Sequence, residues 1–104
     1  LEALKQSFKD AGFKVGENKE AAFNMINATN GFKFAIDDET IEVYEYDKSK
    51  VTDEGKKTVE QAKKGSISLG GLSLPVKYNN GIVLIRYDKH KEQEKILEVF
   101  NKFK

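Results

Sequence analysis

The residue types that most often do chemistry are sparse in this chain. Its one histidine, His90, lies in Asp-Lys-His-Lys at the entrance to an expected helix. An imidazole acting as general acid or base needs a nucleophile or carboxylate brought to it by the fold, and a zinc site needs more ligands than one. No second histidine accompanies it, and the chain has no cysteine, so disulfides, thiolate metal sites and a cysteine nucleophile are excluded. His90 therefore reads as a surface histidine. A small hydrolase or metal-dependent enzyme built on His90 and nearby carboxylates is the last of the functional readings.

The run Asp37-Asp38-Glu39 can attract Ca²⁺, because hard cations prefer carboxylate oxygen. It lacks the alternating Asp/Asn ligands of an EF-hand loop, so it reads as a solvated hairpin turn. Ser66, Ser68 and Ser73 stand in no Gly-x-Ser-x-Gly pattern. Gly65, Gly70 and Gly71 make neither a P-loop nor a dinucleotide fingerprint. These patterns predict a non-enzyme with no cofactor and no metal site.

Composition narrows the partners. The 104 residues, 11.8 kDa, correspond to one domain spanning 1–104, long enough to bury roughly two-thirds of the unfolded chain's surface. Basic residues number 18 and acidic residues 17, for a formal net charge of +1, and Arg86 is the one arginine. Nucleic-acid binding normally needs a basic excess and Arg contacts to phosphate, so no nucleic-acid partner is expected. No apolar run approaches the roughly 18–20 residues that span a bilayer, and no signal peptide is visible. The chain starts at Leu1 rather than Met, which suggests a trimmed or mature product.

The elements that must position any site follow from periodicity. Leu1, Leu4, Phe8 and Ala11 repeat at helical spacing before Gly12. A short extended piece, Phe13-Lys14-Val15, follows. Asn18 can cap a second helix carrying Ala22, Phe23, Met25 and Ile26 and ending near Asn30-Gly31. The period then falls to 2: Phe32, Phe34 and Ile36 form a strand, and Ile41 and Val43 form another beyond the acidic turn. A third helix runs from the N-cap Thr52 to about Lys64, with Asp53 and Glu54 in its first turn and Lys63 and Lys64 in its last, both suited to the helix dipole. Its apolar face, mainly Val59 and Ala62, is thin enough that it should pack over a sheet edge. Ser66–Gly71 is either a short strand or a loop. Leu72, Leu74 and Val76 alternate, with Pro75 confining that strand to an edge or a bulge. Ile82 to Tyr87 is apolar on both faces and should be central. A last helix carries Ile96, Leu97, Phe100 and Phe103. The fold class is α+β: an antiparallel sheet of four or more strands packed against helices.

The chain also repeats itself. TIEVYEYDKSK from Thr40 resembles GIVLIRYDKHK from Gly81, and GFKFAI from Gly31 resembles GLSLPV from Gly71. This predicts a duplicated β-hairpin–helix unit over approximately 31–64 and 71–104. The offset grows by one residue across the turn. A two-residue turn at Asp38-Glu39 and a three-residue Asn79-Asn80-Gly81 loop with a Gly bulge would absorb it. In that register Phe32, Phe34, Ile36, Ile41 and Val43 share one face, as do Leu72, Leu74, Val76, Ile82 and Leu84. A plain Asn80-Gly81 turn would instead put Val83 and Ile85 inward.

With Ile41, Val43, Ile82 and Leu84 facing the main helices, the opposite face carries Tyr44, Tyr46, Val83, Ile85 and Tyr87, bordered by Glu42 and Lys33. An aromatic and apolar patch with charged edges resembles a protein-contact surface. Left open, this face would take a protein partner, a small ligand or a second copy of the chain; helix one or the Gly65–Gly71 segment could instead cover it.

The run GFKFAIDDETIEVYEYDKS together with NNGIVLIRYDKHKEQEKILEVFNKF resembles small domains of extracytoplasmic lipoproteins of Gram-positive bacteria. That resemblance, carried by pattern and composition over most of the chain, implies export, a lipid anchor upstream of Leu1 and no established activity. It supplies no site residues. The expectation is a surface-anchored binding or interaction domain without catalysis, membrane-bound only through that anchor. The alternative is a cytoplasmic adaptor or regulatory domain acting through homodimerisation.

Overall fold

Asp37 and Asp38 both take positive φ, 49° and 76°. Two successive left-handed residues make the type I′ turn, whose twist matches that of the strands it joins. In the computed structural model, which describes residues 1–103, this turn links strands β2 (Asn30–Ile36) and β3 (Glu39–Glu45). It lies one residue earlier than the Asp38-Glu39 turn expected, with Ile36 opposite Glu39. Phe32 faces Val43 and Phe34 faces Ile41, so the apolar alternation falls on one side of the hairpin, as the period predicts.

Two helices cover that side. Helix α1 (Glu2–Asp10) ends at Ala11, with Gly12 at φ 96°, and α3 (Gln93–Lys102) brings Ile96 and Phe100 inward. Leu4, Phe8, Phe34, Ile36, Ile41, Val43, Ile82, Leu84, Ile96 and Phe100 make one buried cluster with Phe13 and Tyr87. Lys5 joins its edge. Its Nζ donates to Asn18 Oδ1 at 2.7 Å and stands 5.3 Å from the centre of the Phe34 ring.

The helix expected from Asn18 does not form. Lys19–Glu20 pairs with β2 as a two-residue edge strand, β1, and Phe23–Ile26 makes a single 3₁₀ turn. Asn27, at φ 57°, stops that turn, and Thr29 Oγ1 donates to the Glu45 carbonyl at 2.9 Å. The segment thus commits its polar groups to the sheet instead of to helical hydrogen bonds.

Helix α2 (Asp53–Lys63) forms where its caps predict. Thr52 Oγ1 accepts the Gly55 N–H at 3.1 Å, and Gly65 follows at φ 100°. Its buried Ala62 and partly buried Val59 pack toward the sheet edge.

The second half departs most from the repeat. Ser66–Leu69 (β4) and Leu72–Pro75 (β5) form a separate two-stranded hairpin about Gly70-Gly71. Pro75 is thereby kept on an edge, as its missing N–H requires. Lys77–Asn79 (β6) pairs with Ile82–Ile85 (β7) across a two-residue Asn80-Gly81 turn, with Asn79 opposite Ile82. The three-residue loop and its Gly bulge are absent. The sheet order is β1-β2-β3-β7-β6, antiparallel throughout. The short turn also decides faces: Val76 is buried with Val83 and Ile85, while Ile82 and Leu84 lie opposite. Leu72, Leu74 and Val76 therefore do not share the face of Ile82 and Leu84. The duplicated hairpin–helix unit is not reproduced, because the counterpart of β2 is β5, which leaves the main sheet; the last residue of the expected repeat, Lys104, lies outside the described residues.

Candidate functional site

The sheet face that carries Tyr44, Tyr46, Val83 and Ile85 is not open. Each of these residues is buried. The 3₁₀ turn, α2 and the β4–β5 hairpin cover them, with Ile26, Ala28, Ala62, Ile67 and Val76 completing a second cluster. The sheet is therefore the middle of three layers. The continuous apolar run of β7 fits a strand covered on both faces, but Thr40 and Glu42 beside Tyr44 make this face of β3 read as open.

Tyr87 lies on the other side. Alternation from Ile85 would place it on the same face as Tyr46, but Arg86, between Ile85 and Tyr87, takes φ 72°. That left-handed residue ends the strand, and Tyr87 opens the 3₁₀ turn Tyr87–Lys89 with its ring in the α1–α3 cluster. The two Tyr-Asp-Lys copies consequently differ. Tyr46 donates its hydroxyl to the Ile26 carbonyl at 2.7 Å, and Asp47 accepts the N–H (2.9 Å) and hydroxyl (2.7 Å) of Ser49. These Ser49 bonds hold the Asp47 carboxyl below its usual pKa.

What remains accessible at this face is a cleft of about 680 Å³ between the sheet, the 3₁₀ turn and the β5 edge. Tyr44 and Ile85 lie at its floor, with Ala22 and Met25 on one wall and Ser73 and Pro75 on the other. Met25 is 63% exposed. Glu42, Lys33, Arg86, Asp88 and Lys89 line the polar end. Glu42 accepts the Tyr44 hydroxyl through Oε1 and pairs with Arg86 through Oε2, 2.6 Å from Nε. Burial, followed by the hydrogen bond and negative charge of Glu42, raises the Tyr44 pKa far above the tyrosine norm. Burial does the same for Tyr46, and for Tyr87 with a contribution from Asp88. At neutral pH, Tyr44 is a neutral donor and Glu42 is held by two partners. Tyr46 borders a separate groove with Lys48, Lys56, Val59 and Tyr78.

Among the expected site residues, then, Tyr44 and Ile85 meet at the cleft floor. Val83 is fully buried core, and Tyr87 is separated from the others by the thickness of the sheet. Arg86, Met25 and Ser73, which also line the cleft, were not among the expected site residues. Arg86 carried a signal: the only arginine directly follows the chain's most apolar strand.

The other chemical candidates have structural roles. His90 is buried rather than at the surface. Its Nδ1 accepts the Glu92 N–H at 2.9 Å, and its Nε2 meets the Ile36 carbonyl at 2.7 Å. Asp37 Oδ1 accepts the Lys14 N–H at 2.9 Å, and Glu39 Oε2 accepts the Lys91 N–H at 3.0 Å. Among the described residues, no three His, Asp or Glu side chains converge as a metal site, and no helix is long and apolar enough to cross a membrane. Compared with protein-family models, curated proteins and solved structures, the chain matches none of them.

Proposed function

We propose that this chain is a non-catalytic binding domain whose ligand occupies the cleft over Tyr44 and Ile85. One observation carries the reading. Arg86 is held in a backbone conformation that costs a non-glycine residue on the order of 1 kcal/mol, and this turns its guanidinium onto Glu42 at the cleft's polar end. Backbone strain kept beside an accessible, partly apolar cleft is a mark of a functional site. Tyr44 holds its proton too tightly to exchange it near neutral pH, and Glu42 is engaged by two partners, which favours binding over proton transfer.

The test is a titration of the ¹⁵N-labelled domain with a fragment library, followed by amide shifts. Hits should cluster on Tyr44, Ile85 and Ser73 and vanish in Met25→Lys, an exposed position whose change leaves the fold intact. Hits spread over the surface, or unaffected by Met25→Lys, defeat the reading.

The resemblance to extracytoplasmic lipoproteins adds a location: a domain anchored outside the membrane by a lipid upstream of Leu1. Intact mass and N-terminal analysis of the native protein decides this. A diacylated cysteine ahead of Leu1 supports it, and an unprocessed initiator Met sinks it. A second reading, homodimerisation of an adaptor, draws on Leu72, which is 68% exposed on the β5 edge. It predicts a dimer mass by light scattering at high concentration.

A further inference from the structure

The β5 edge that walls the cleft has a backbone pattern of its own. In the β4–β5 hairpin Ser68 stands opposite Ser73. The Ser68 N–H points away from β5, donating to Gln61 Oε1 of α2 at 2.9 Å. Residues of an antiparallel ladder alternate between hydrogen-bonded and non-hydrogen-bonded pairs, so Ser68 and Ser73 form one of the latter. The Val76 N–H, donated to the Gly65 carbonyl at 3.0 Å, fixes the same phase three residues on. The Ser73 N–H and C=O therefore point outward, away from β4. Pro75, two residues later, presents a carbonyl in the same direction and has no N–H to offer.

Ser73, Leu74 and Pro75 all line the cleft, and neither Ser73 backbone group has a backbone partner outside the hairpin among the described residues. A strand edge left in this state is a template for another strand. The other groups along the cleft suit alternate side chains of such a strand. Exposed Met25 is an adaptable apolar contact. Lys33 and Lys89 have no ion pair among the described residues, whereas Glu42 is already bound by Tyr44 and Arg86. Asp88 is then the only carboxylate there to oppose the two lysines.

We infer that the cleft takes an extended peptide segment of a partner protein, bearing an apolar and an acidic side chain, added as a strand on β5 at Ser73. This rests on the cleft being a binding site and names the class of its ligand. Main-chain bonds to Ser73 would fix the register, while Met25 and the two lysines would read the side chains.

The experiment pans a phage-displayed library of random linear peptides on the folded domain and measures the affinity of the selected peptides for variants. Ser73→Pro removes the outward N–H without touching the β4 ladder, and Ser73→Ala keeps it. Peptides enriched in acidic and apolar residues should bind Ser73→Pro about tenfold or more weakly and Ser73→Ala unchanged. Bound peptide should also slow hydrogen exchange of the Ser73 amide in the wild-type chain, a readout independent of whether Ser73→Pro folds. Unchanged exchange, or equal binding to Ser73→Pro, overturns strand addition while the cleft reading stands. Peptides indifferent to Met25→Lys overturn both. A library without binders overturns the peptide class, and a concentration-dependent dimer abolished by Ser73→Pro gives the edge to a second copy instead.

Discussion

The Nε2 atom of His90 lies 2.7 Å from the carbonyl oxygen of Ile36, across 54 positions of sequence. Because Nδ1 accepts the N–H of Glu92, Nε2 is the ring nitrogen that donates to the Ile36 carbonyl. One buried ring thereby caps the approach to α3 and ties it to the end of β2, where the first hairpin turns. Glu39 reinforces the junction by accepting the Lys91 N–H. The flanking lysines, which make this position read as surface, are themselves exposed; only the ring between them turns inward.

Replacing His90 by alanine should destabilise the domain by about 2–6 kcal/mol, since a buried carbonyl and a backbone N–H lose partners at roughly 1–3 kcal/mol each. His90→Gln, which can reach Ile36, should recover part of this loss. Urea unfolding monitored by far-ultraviolet dichroism measures both. A cost below about 0.5 kcal/mol for alanine, the size of an ordinary surface change, would mean that the ring is not holding the junction.

Gly55 reverses the usual rule for helices. An exposed helical Gly→Ala change stabilises by about 1 kcal/mol. Here a Cβ would stand 2.5 Å from Val51 Cγ2 and 2.7 Å from the Asn27 carbonyl oxygen. That carbonyl belongs to the backbone of the left-handed residue that ends the 3₁₀ turn, so it cannot swing aside as a side chain would. Gly55→Ala should cost about 1–3 kcal/mol, as overpacking does. A rise in thermal midpoint would show that α2 and the turn are not in contact.

These two positions also show what the sequence could and could not convey. Helix α2 was legible because its signals are local: Thr52 caps it, its charges follow the dipole, and Gly65 stops it. The β2–β3 hairpin was legible for the same reason, its period of 2 being interrupted by two aspartates. The segment from Asn18 to Asn30 was not, because helical spacing of Ala22, Phe23 and Ile26 fits one 3₁₀ turn as well as three turns of helix. Its end is decided by the left-handed Asn27 and by Thr29, which bonds to the distant end of β3 at Glu45 and Asp47. The cleft was half legible. Tyr44 and Ile85 were placed on one face, but the cover supplied by β4 and β5 depends on Leu72–Pro75 leaving the main sheet, a tertiary choice. Tyr87 was misplaced by a single backbone angle at Arg86.

Arg86 separates strain from charge. Arg86→Gly keeps the positive φ without strain and loses an ion pair worth about 0.2–1 kcal/mol for a partner this exposed. Its stability should lie within about 1 kcal/mol of the wild type. Arg86→Ala keeps the strain, loses the pair and should be the less stable of the two. Denaturant midpoints of the two variants are the measurement; equal or reversed stabilities would show that the left-handed angle at this position carries no strain.

Alkaline pH should unfold the domain in a way that counts its buried tyrosines. Burial raises the pKa values of Tyr44 and Tyr46 well above their unfolded value, which is about 10. Below that pH the hydroxyls are protonated in both states and the stabilisation is fully present. Above it the unfolded chain releases protons that the folded chain retains, so the unfolded state binds fewer protons and stability falls as pH rises. Each tyrosine that stays protonated contributes a slope of up to about 1.4 kcal/mol per pH unit, and Tyr87 acts in the same direction. Tyr46→Phe removes one of these groups. At neutral pH it should be weaker than wild type by about 1–3 kcal/mol, because the Ile26 carbonyl loses its donor. Above pH 10 its stability should fall less steeply, so the two curves converge. Urea midpoints across this range test the argument, and an unchanged slope in Tyr46→Phe would mean that Tyr46 ionises within the folded protein and that its layer of the core admits water.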